Sequence, residues 1–320
     1  MKIGFIGCGN MASAMIGGIL KKGLVQKNDI IVSNLTEAGS KRSREKLGVE
    51  TTMDNREVAK KAEILFLAVK PQFYEEVILE IRDLLTEEQI LVSIAPGKTL
   101  KWLEDTCGCS VKIIRLMPNT PAQVGEGMTG GCCNERVTEE DAQKIGEIAG
   151  SFGRFEFVPE RLLDAFSAVC GCSPAYVFMF IEAMADAAVA QGLPRSQAYS
   201  FAAQAVMGSA KMVLETGKHP GELKDMVCSP AYVFMFIEAM ADAAVAQGLP
   251  RSQAYSFAAQ AVMGSAKMVL ETGKHPGELK DMVCSPAGST IEGVRILENA
   301  GMRSAVFEAL NGAAEKGKRL

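Results

Sequence analysis

The chain has very little histidine: its 320 residues contain two, His219 and His275. Both stand directly before Pro-Gly, a pair typical of turns, so a turn role is favoured over acid–base chemistry. A basic surplus is also missing, because the net charge is −4 with 22% charged residues. Nucleic-acid-binding proteins present a positive surface, and this balance therefore argues against a nucleic-acid partner.

Cysteine pairs with the spacing of zinc ligands are missing as well. The tightest pairs among the nine cysteines are Cys107 and Cys109, Cys132 and Cys133, and Cys170 and Cys172. Zinc pairs have about two to four intervening residues, so we expect reduced, incidental thiols and no metal. The apolar run after Met1-Lys2 follows no signal-peptide pattern. The expectation is a cytoplasmic protein with no membrane partner.

The last third of the chain contains an internal repeat. Residues 172–227 recur without a change as residues 228–283, a period of 56 residues. Natural copies diverge with time, so the repeat favours a recent or engineered tandem duplication. The glycine-rich opening, residues 4–12, and the closing run, residues 284–291, occur once. Ser229 shares its upstream sequence with the closing run and its downstream sequence with a helix, and we expect it to be helical.

Residues 1–158 predict a dinucleotide-binding domain. Short apolar runs alternate with helical periodicity, which is typical of an α/β Rossmann domain with a doubly wound, mostly parallel sheet. The predicted strands are residues 2–6, 29–33, 64–69, 89–94 and 112–116, and the clearest predicted helices are residues 10–21 and 75–84.

Residues 159–320 show no convincing strand and predict an all-α domain with a duplicated helical hairpin, residues 172–227 and 228–283. In the first copy, helices are expected over residues 174–191 and 195–215. Both are apolar on several sides, as in a tight bundle or a subunit interface. Glu182 and Asp186 lie one turn apart, where a structural pairing is favoured over general acid catalysis.

The first predicted strand and helix are joined by Gly7-Cys-Gly9-Asn-Met-Ala12, a GxGxxA fingerprint. Gly7 permits a tight turn, Gly9 lets the backbone approach a pyrophosphate, and Ala12 allows close packing of the helix on the strand. The alternative is a glycine-rich turn without a ligand. The position between strand and helix favours dinucleotide binding.

The end of the second strand indicates which dinucleotide binds. It reads Ser33-Asn34-Leu35, and the first carboxylate after it is Glu37. An Asp or Glu at that strand end would bind the ribose of NAD. Without one, and with Lys41 and Arg42 nearby, NADP(H) is favoured, while NAD(H) stays open.

Two further strand ends carry candidate ligand-binding residues. Ala68-Val-Lys-Pro71 follows one strand and Ser93-Ile-Ala-Pro-Gly97 follows the next. Ligands of open parallel sheets bind at the carboxyl ends of the strands. Lys70 is therefore interpreted as a cofactor-cleft residue, although a solvated strand-end charge is the alternative.

Four motifs resemble pyrroline-5-carboxylate reductases. They are Phe5–Ala12, Leu65–Pro71, Arg115–Ala122 and the closing run Asp281–Ile291. The resemblance covers nearly the whole chain once one copy is set aside. It implies NADPH-dependent reduction of 1-pyrroline-5-carboxylate to L-proline, the final step of proline biosynthesis.

The resemblance also implies site residues. The implied cofactor contacts are Gly7, Gly9, Asn10, Met11, Ala12, Ser33, Asn34, Asn55, Ala68, Val69, Lys70, Pro71 and Ala95. The implied substrate loop uses the backbone N–H groups of Gly288 and Ser289 for the carboxylate. The hydroxyl of Thr290 would reach the ring nitrogen as the catalytic group. The chain departs from the family at Ala287, at Ser289 and at Pro96, where Gly, Thr and Ala are usual.

Two other functions remain open. One is a folded but weakly active or inactive duplicated protein that binds NADP(H). The other is a related Rossmann reductase of hydroxy or keto acids, which would need a lysine to protonate an alkoxide. Residues 161–210 contain no lysine. Imine reduction, in which positioning and a hydrogen bond to nitrogen suffice, agrees better with the sequence.

The expected partner is a small-molecule substrate. The resemblance implies that residues 159–320 form a substrate and dimerisation domain, because in the family two helical domains interlock between subunits. It also implies that a second hairpin on the same chain can replace the partner's. The expected assembly is a monomeric pseudo-dimer or a small homo-oligomer formed through the helical domains. The alternative is a looped-out or exchanged extra copy.

Overall fold

The computed structural model describes residues 1–227 and 231–319. The chain divides into two compact units. Unit 1 comprises Met1–Pro118 and Thr129–Leu163, and unit 2 comprises Asn119–Met128 and Asp164–Leu320. The sequence predicts a single boundary between residues 158 and 159. The contacts differ from it because the segment Asn119–Met128 packs with the helices of unit 2.

Unit 1 is built on an eight-stranded sheet in the order β3-β2-β1-β4-β5-β6-β7-β8. Its strands are β1 (Ile3–Ile6), β2 (Ile30–Ser33), β3 (Glu50–Thr52), β4 (Ile64–Leu67), β5 (Ile90–Ser93), β6 (Lys112–Met117), β7 (Gly127–Cys133) and β8 (Gly153–Phe157). The first six strands pair in parallel, and β7 pairs antiparallel with β6. The predicted doubly wound sheet is confirmed.

Six α-helices complete unit 1. They are α1 (Asn10–Lys22), α2 (Glu37–Leu47), α3 (Asn55–Lys61), α4 (Tyr74–Ile81), α5 (Leu100–Cys107) and α6 (Glu139–Ala149). Strands β1, β4 and β5 are buried at every residue. A strand covered on both faces needs apolar residues throughout, which is why these strands appear in the sequence as continuous Ile, Val, Leu and Phe runs.

Unit 2 is helical. It begins with α7 (Leu163–Phe166) and a π-helical turn (Ser167–Cys172). The helices that follow are α8 (Ser173–Ala190), α9 (Arg195–Thr216), α10 (Pro220–Met226), α11 (Ala231–Ala246), α12 (Arg251–Thr272), α13 (Pro276–Val283), α14 (Ser289–Asn299) and α15 (Met302–Gly317). Ser229 lies outside the described residues.

The identical segments exchange their last helices. Helices α9 and α12 pack against each other at the centre of the bundle, while α10 of the first copy packs on α11 of the second. In return, α13 of the second copy packs on α8 of the first. Each segment therefore completes its packing with the other one, as two subunits do across an isologous interface.

The two histidines lie at equivalent points of this exchange. His219 and His275 each cap a short helix, their Nδ1 atoms accepting the N–H of Gly221 and Gly277 at 3.0 Å. Their Nε2 atoms lie 2.6 Å and 2.7 Å from tyrosine hydroxyls of the opposite copy, Tyr255 and Tyr199. The histidines thus have the structural role that the sequence favours, but as helix N-caps, because each Pro-Gly pair begins a helix and does not form a turn.

Identical residues of α9 and α12 have different surroundings. Phe257 is fully buried and packs edge-on against Phe166 at 5.1 Å between ring centres, whereas its counterpart Phe201 is 58% exposed. Gln260 is fully buried, and its Nε2 donates to the backbone oxygen of Glu126 at 3.2 Å. The difference arises because α12 packs against Phe166 of α7 and against the segment Asn119–Met128.

One helical stretch of the described residues, Glu160–Ala190, is long and apolar enough to cross a membrane. In its most apolar window, 72% of the residues are buried inside the protein. This burial is what the core helix of a bundle shows, because such a helix is surrounded by other helices.

Candidate cofactor and substrate sites

The turn between β1 and α1 requires glycine at its first position. Gly7 has φ of +89°, a conformation that side chains disfavour. A Cβ at Gly7 would lie 2.9 Å from both the backbone oxygen of Ala68 and a methyl carbon of Val69. The turn is thus held closely against the end of β4.

The following residues leave room for an anion. Gly9 precedes α1, and a Cβ built on it would meet no atom within 4 Å. The first turn of α1 carries no acidic residue, and its N-terminus has no side-chain cap. Helix geometry leaves the N–H groups of Asn10, Met11 and Ala12 without partners inside the helix. A helix N-terminus with open space before it suits a pyrophosphate.

The end of β2 is fixed by amide and hydroxyl groups. Ser33 is buried and donates to Oδ1 of Asn55 at 2.7 Å, and Asn55 donates to Glu80 at 2.7 Å. Asn34 is held by the hydroxyl of Ser43 at 3.3 Å. No carboxylate occupies this strand end.

A surface cavity of about 560 Å³ lies along α2, lined by Lys41 and Arg44 together with Glu37 and Glu45. The sequence predicts Lys41 and Arg42 as the basic residues near this strand end. In the structure Arg44 lines the cavity with Lys41, because residues three apart share one helix face.

The ends of β4 and β5 are joined by a tyrosine that sequence analysis missed. The hydroxyl of Tyr74 donates to the backbone oxygen of Leu67 and accepts the N–H of Ile94 at 3.2 Å. Burial raises the pKa of Tyr74 to about 12, so it stays a neutral donor. Ala68 and Ala95, two of the predicted cofactor contacts, each come one residue after a residue that Tyr74 binds. Lys70, another predicted contact, is exposed. A lone tyrosine at a helix start gave no signal for this bridge.

The closing run forms a tight turn before α14. Gly288 donates its N–H to the oxygen of Ser285 at 3.1 Å, and a Cβ on Gly288 would lie 2.2 Å from the Ser285 hydroxyl. Ala287 has φ of +56°, and no other described residue except glycine has a positive φ. Thr290 is 8% exposed in the first turn of α14.

The Pro-Asn-Thr-Pro motif fixes the segment Asn119–Met128. The side chain of Asn119 donates to the backbone oxygen of Cys170 at 2.9 Å and accepts the N–H of Met128 at 2.8 Å. Lys267 of α12 pairs with Glu126 at 3.0 Å. These bonds give the motif a structural role inside unit 2.

Glu182 and Asp186 are engaged in ion pairs, as the sequence favoured. Glu182 pairs with Arg303 of α15, and its other oxygen lies 3.7 Å from His275. Asp186 pairs with Arg195 at the start of α9. Both carboxylates therefore join helices of the bundle.

Comparison with known proteins identifies the family. The profile of the pyrroline-5-carboxylate reductase dimerisation family matches residues 160–231 and 228–320. The chain is 43% identical over 319 residues to pyrroline-5-carboxylate reductase of Escherichia coli K12, covering 100% of this chain and 98% of that protein. The chain belongs to the pyrroline-5-carboxylate reductase family. The family consists of oxidoreductases, and this member carries the family's dimerisation domain.

Other relatives agree with this membership. The enzyme of Methanosarcina acetivorans is 36% identical over 319 residues, covering 100% of this chain and 97% of that protein. The profile of the coenzyme F420-dependent NADP oxidoreductases matches residues 2–97.

Solved structures of the family share the fold. The Plasmodium falciparum pyrroline carboxylate reductase, solved with NADP bound, aligns with a TM-score of 0.61 at 27% identity. The alignment covers 100% of this chain and 97% of that one. The Coxiella burnetii enzyme aligns with a TM-score of 0.52 at 29% identity, covering 99% and 97% of the two chains. The predicted Rossmann domain followed by a helical domain and the predicted NADP dependence are confirmed.

Proposed function

We propose that this chain reduces 1-pyrroline-5-carboxylate to L-proline with NADPH. The observation that carries the proposal is that the chain has one copy of each binding element of the family. These elements are the open helix N-terminus after Gly9 and the turn from Gly288 to Thr290. Membership in the family supplies the reaction class. The cofactor, when bound, supplies the hydride.

On the cofactor side, we propose that the backbone N–H groups of Asn10, Met11 and Ala12 bind the pyrophosphate. The lack of an acidic residue in the first turn of α1 supports this role, because a carboxylate there would repel phosphate. The remaining proposed contacts are Ser33, Asn34 and Asn55 near the end of β2, and Ala68, Val69, Lys70, Pro71 and Ala95 after β4 and β5.

On the substrate side, we propose that the N–H groups of Gly288 and Ser289 bind the carboxylate, the Gly288 N–H exchanging its hydrogen bond to Ser285 for one to the substrate. They lie at the N-terminus of α14, whose dipole favours an anion. The hydroxyl of Thr290 is proposed to hold the ring nitrogen. A protonated imine that accepts hydride forms no oxyanion, so this positioning is the contribution required from the protein.

We propose NADP(H) as the preferred cofactor because β2 ends without a carboxylate, and Lys41 and Arg44 share a face of the next helix. A change of Asn34→Asp should lower NADPH affinity more than NADH affinity. Fluorescence titration with both cofactors measures this, and equal losses for the two would contradict the assignment.

The assembly proposed is a monomeric pseudo-dimer, with a small homo-oligomer as the alternative. The reciprocal packing of α10 on α11 and of α13 on α8 supports it, because each copy already contacts a partner copy in its own chain. Light scattering at increasing concentration should give 34.2 kDa for the monomer. A large assembly at all concentrations would contradict the pseudo-dimer. A recent or engineered duplication and a cytoplasmic location stay predictions.

The activity is tested by NADPH oxidation in the presence of 1-pyrroline-5-carboxylate, followed by absorbance. Steady turnover that produces proline is expected. A folded protein that binds NADPH, seen as a cofactor-dependent rise in melting temperature, yet shows no turnover would overturn the proposal. The variant Thr290→Val, which keeps the side-chain shape but removes the hydroxyl, serves as the low-activity reference.

A further inference from the structure

The first copy of the repeated segment touches the closing turn through α8. The thiol of Cys172 lies 3.4 Å from the hydroxyl of Ser289. One turn further along α8, the hydroxyl of Tyr176 lies against Gly293 of α14, where a Cβ would come within 1.9 Å of it. Gly293 therefore lets α14 approach Tyr176 closely.

We infer that Cys172 and Tyr176 of the first copy are positioning residues for the substrate turn, whereas the identical Tyr232 of the second copy is not. The inference rests on the proposed function, because it assumes that the turn at Ser289 binds the substrate carboxylate. It adds two side chains, Cys172 directly before α8 and Tyr176 within α8, that bind no substrate themselves but hold the groups that do.

The chemical nature of the two side chains suits this role. Burial, with a smaller contribution from the Cys172 thiol, raises the pKa of Tyr176, so its phenol stays neutral. A phenolate next to the start of α14 would compete with an anionic substrate for the positive end of that helix. A neutral hydroxyl and a thiol orient the turn without adding negative charge.

Ser173, the residue after Cys172, provides a second observation. Ser173 is 1% exposed, and its hydroxyl has no hydrogen-bond partner among the residues that the structure describes. Buried hydroxyls almost always have a partner, since leaving one unpaired costs free energy. A polar ligand that arrives at the start of α8 would supply the missing bond.

In the second copy, the described counterpart of Tyr176 has a different neighbour. The hydroxyl of Tyr232 donates to the backbone oxygen of Ala309 in α15 at 3.4 Å, far along the chain from the substrate turn. Met235 of α11 is 54% exposed, whereas its counterpart Met179 is fully buried in a cluster with Val294 of α14. Among the residues that the structure describes, Tyr176 and Met179 thus contact α14, whereas Tyr232 contacts α15 and Met235 is exposed.

The identical copies provide a matched control. Tyr176→Phe and Tyr232→Phe remove the same atom from the same local sequence, and each is assayed for KM and kcat with 1-pyrroline-5-carboxylate. Tyr176→Phe removes the hydrogen bond between the phenol and the Cys172 thiol. We expect the substrate KM to rise about fivefold, the usual effect of one lost hydrogen bond, with kcat within twofold. Tyr232→Phe should leave both constants unchanged.

A second pair of variants tests the thiol. Cys172→Ala should raise the substrate KM to a similar extent, and Cys172→Ser, which keeps a hydrogen-bonding group, should restore it. The KM for NADPH should not change in any of these variants. If Cys172 and Tyr176 only stabilised the fold, their variants would lower the melting temperature without raising the substrate KM relative to the KM for NADPH.

The possible outcomes distinguish a failure of the positioning role from a failure of the proposed reductase function. An inactive wild-type protein overturns the proposed function, and the inference falls with it. An active wild type in which Tyr176→Phe and Tyr232→Phe behave alike leaves the function intact and overturns the inference. A failure of Cys172→Ser to restore KM overturns the role of the thiol.

Discussion

Two glycines with the same sequence context should respond in opposite ways to the same substitution. Gly264 of α12 packs against the segment Asn119–Met128: a Cβ there would lie 2.3 Å from the oxygen of Glu126 and 2.6 Å from Cβ of Pro121. Gly208 of α9 has the same neighbours in sequence, and a Cβ there would meet nothing within 4 Å.

The magnitudes follow from helix propensity and packing. Alanine is favoured over glycine inside a helix by roughly 0.5–1 kcal/mol, so Gly208→Ala should stabilise the protein by about that amount. In Gly264→Ala the same gain is offset by overpacking, which costs roughly 1–3 kcal/mol when neighbouring backbone must move. The two variants should therefore differ by about 1–3 kcal/mol, with Gly208→Ala the more stable.

Urea denaturation followed by far-ultraviolet circular dichroism measures the difference. The midpoint should rise for Gly208→Ala and fall for Gly264→Ala, with equal helical content before unfolding. A double variant should fall between them, because the sites lie on different helices. Equal shifts of the same sign would refute the reasoning, since they would mean that α9 and α12 have equivalent surroundings.

Further predictions concern other described contacts. Phe257→Ala should cost roughly 3–5 kcal/mol of unfolding free energy and Phe201→Ala less than about 1, compared by the same denaturation assay; equal losses would contradict the packing. Ala287→Gly should stabilise by up to about 1 kcal/mol, because it relieves a positive φ; a lower midpoint would contradict that strain. Burial raises the pKa of Asp141, but the ion pair with Lys112 at 2.9 Å and hydrogen bonds at the start of α6 outweigh it and lower the pKa overall. The resulting stability is present above the ordinary carboxyl pKa and lost as pH falls through the lowered one, so Asp141→Asn should flatten the acid side of a stability–pH profile; an unchanged slope would argue against the pair.

The dinucleotide fold could be predicted because its signals are local. Strands β1, β4 and β5 are fully buried, so their composition alone indicates a covered parallel sheet. Strands β3, β7 and β8 were missed for physical reasons. Glu50–Thr52 is only three residues long. Gly127–Cys133 is rich in glycine, a residue with low strand propensity.

The unequal surroundings of the two copies could not be predicted in the same way. Residues 195–216 and 251–272 are identical, so no local signal separates Phe201 from Phe257. The difference comes from two segments that are distant in sequence and pack against α12, namely Asn119–Met128 and the end of α7 with the turn that follows it. The turn at Gly288 was found from its motif, but the contact of Tyr176 with α14 depends on tertiary packing.

The two histidines give the protein an internal spectroscopic reference. They are the only histidines in the chain, they are half exposed, and each has a tyrosine of the other copy and a glutamate as neighbours. The glutamate beside His275 also pairs with Arg303, in the part of the chain that follows the repeat. An imidazole NMR spectrum will contain two signals from chemically twin sites. Any shift that a ligand causes at His275 can be measured against His219 in the same molecule, without a second sample.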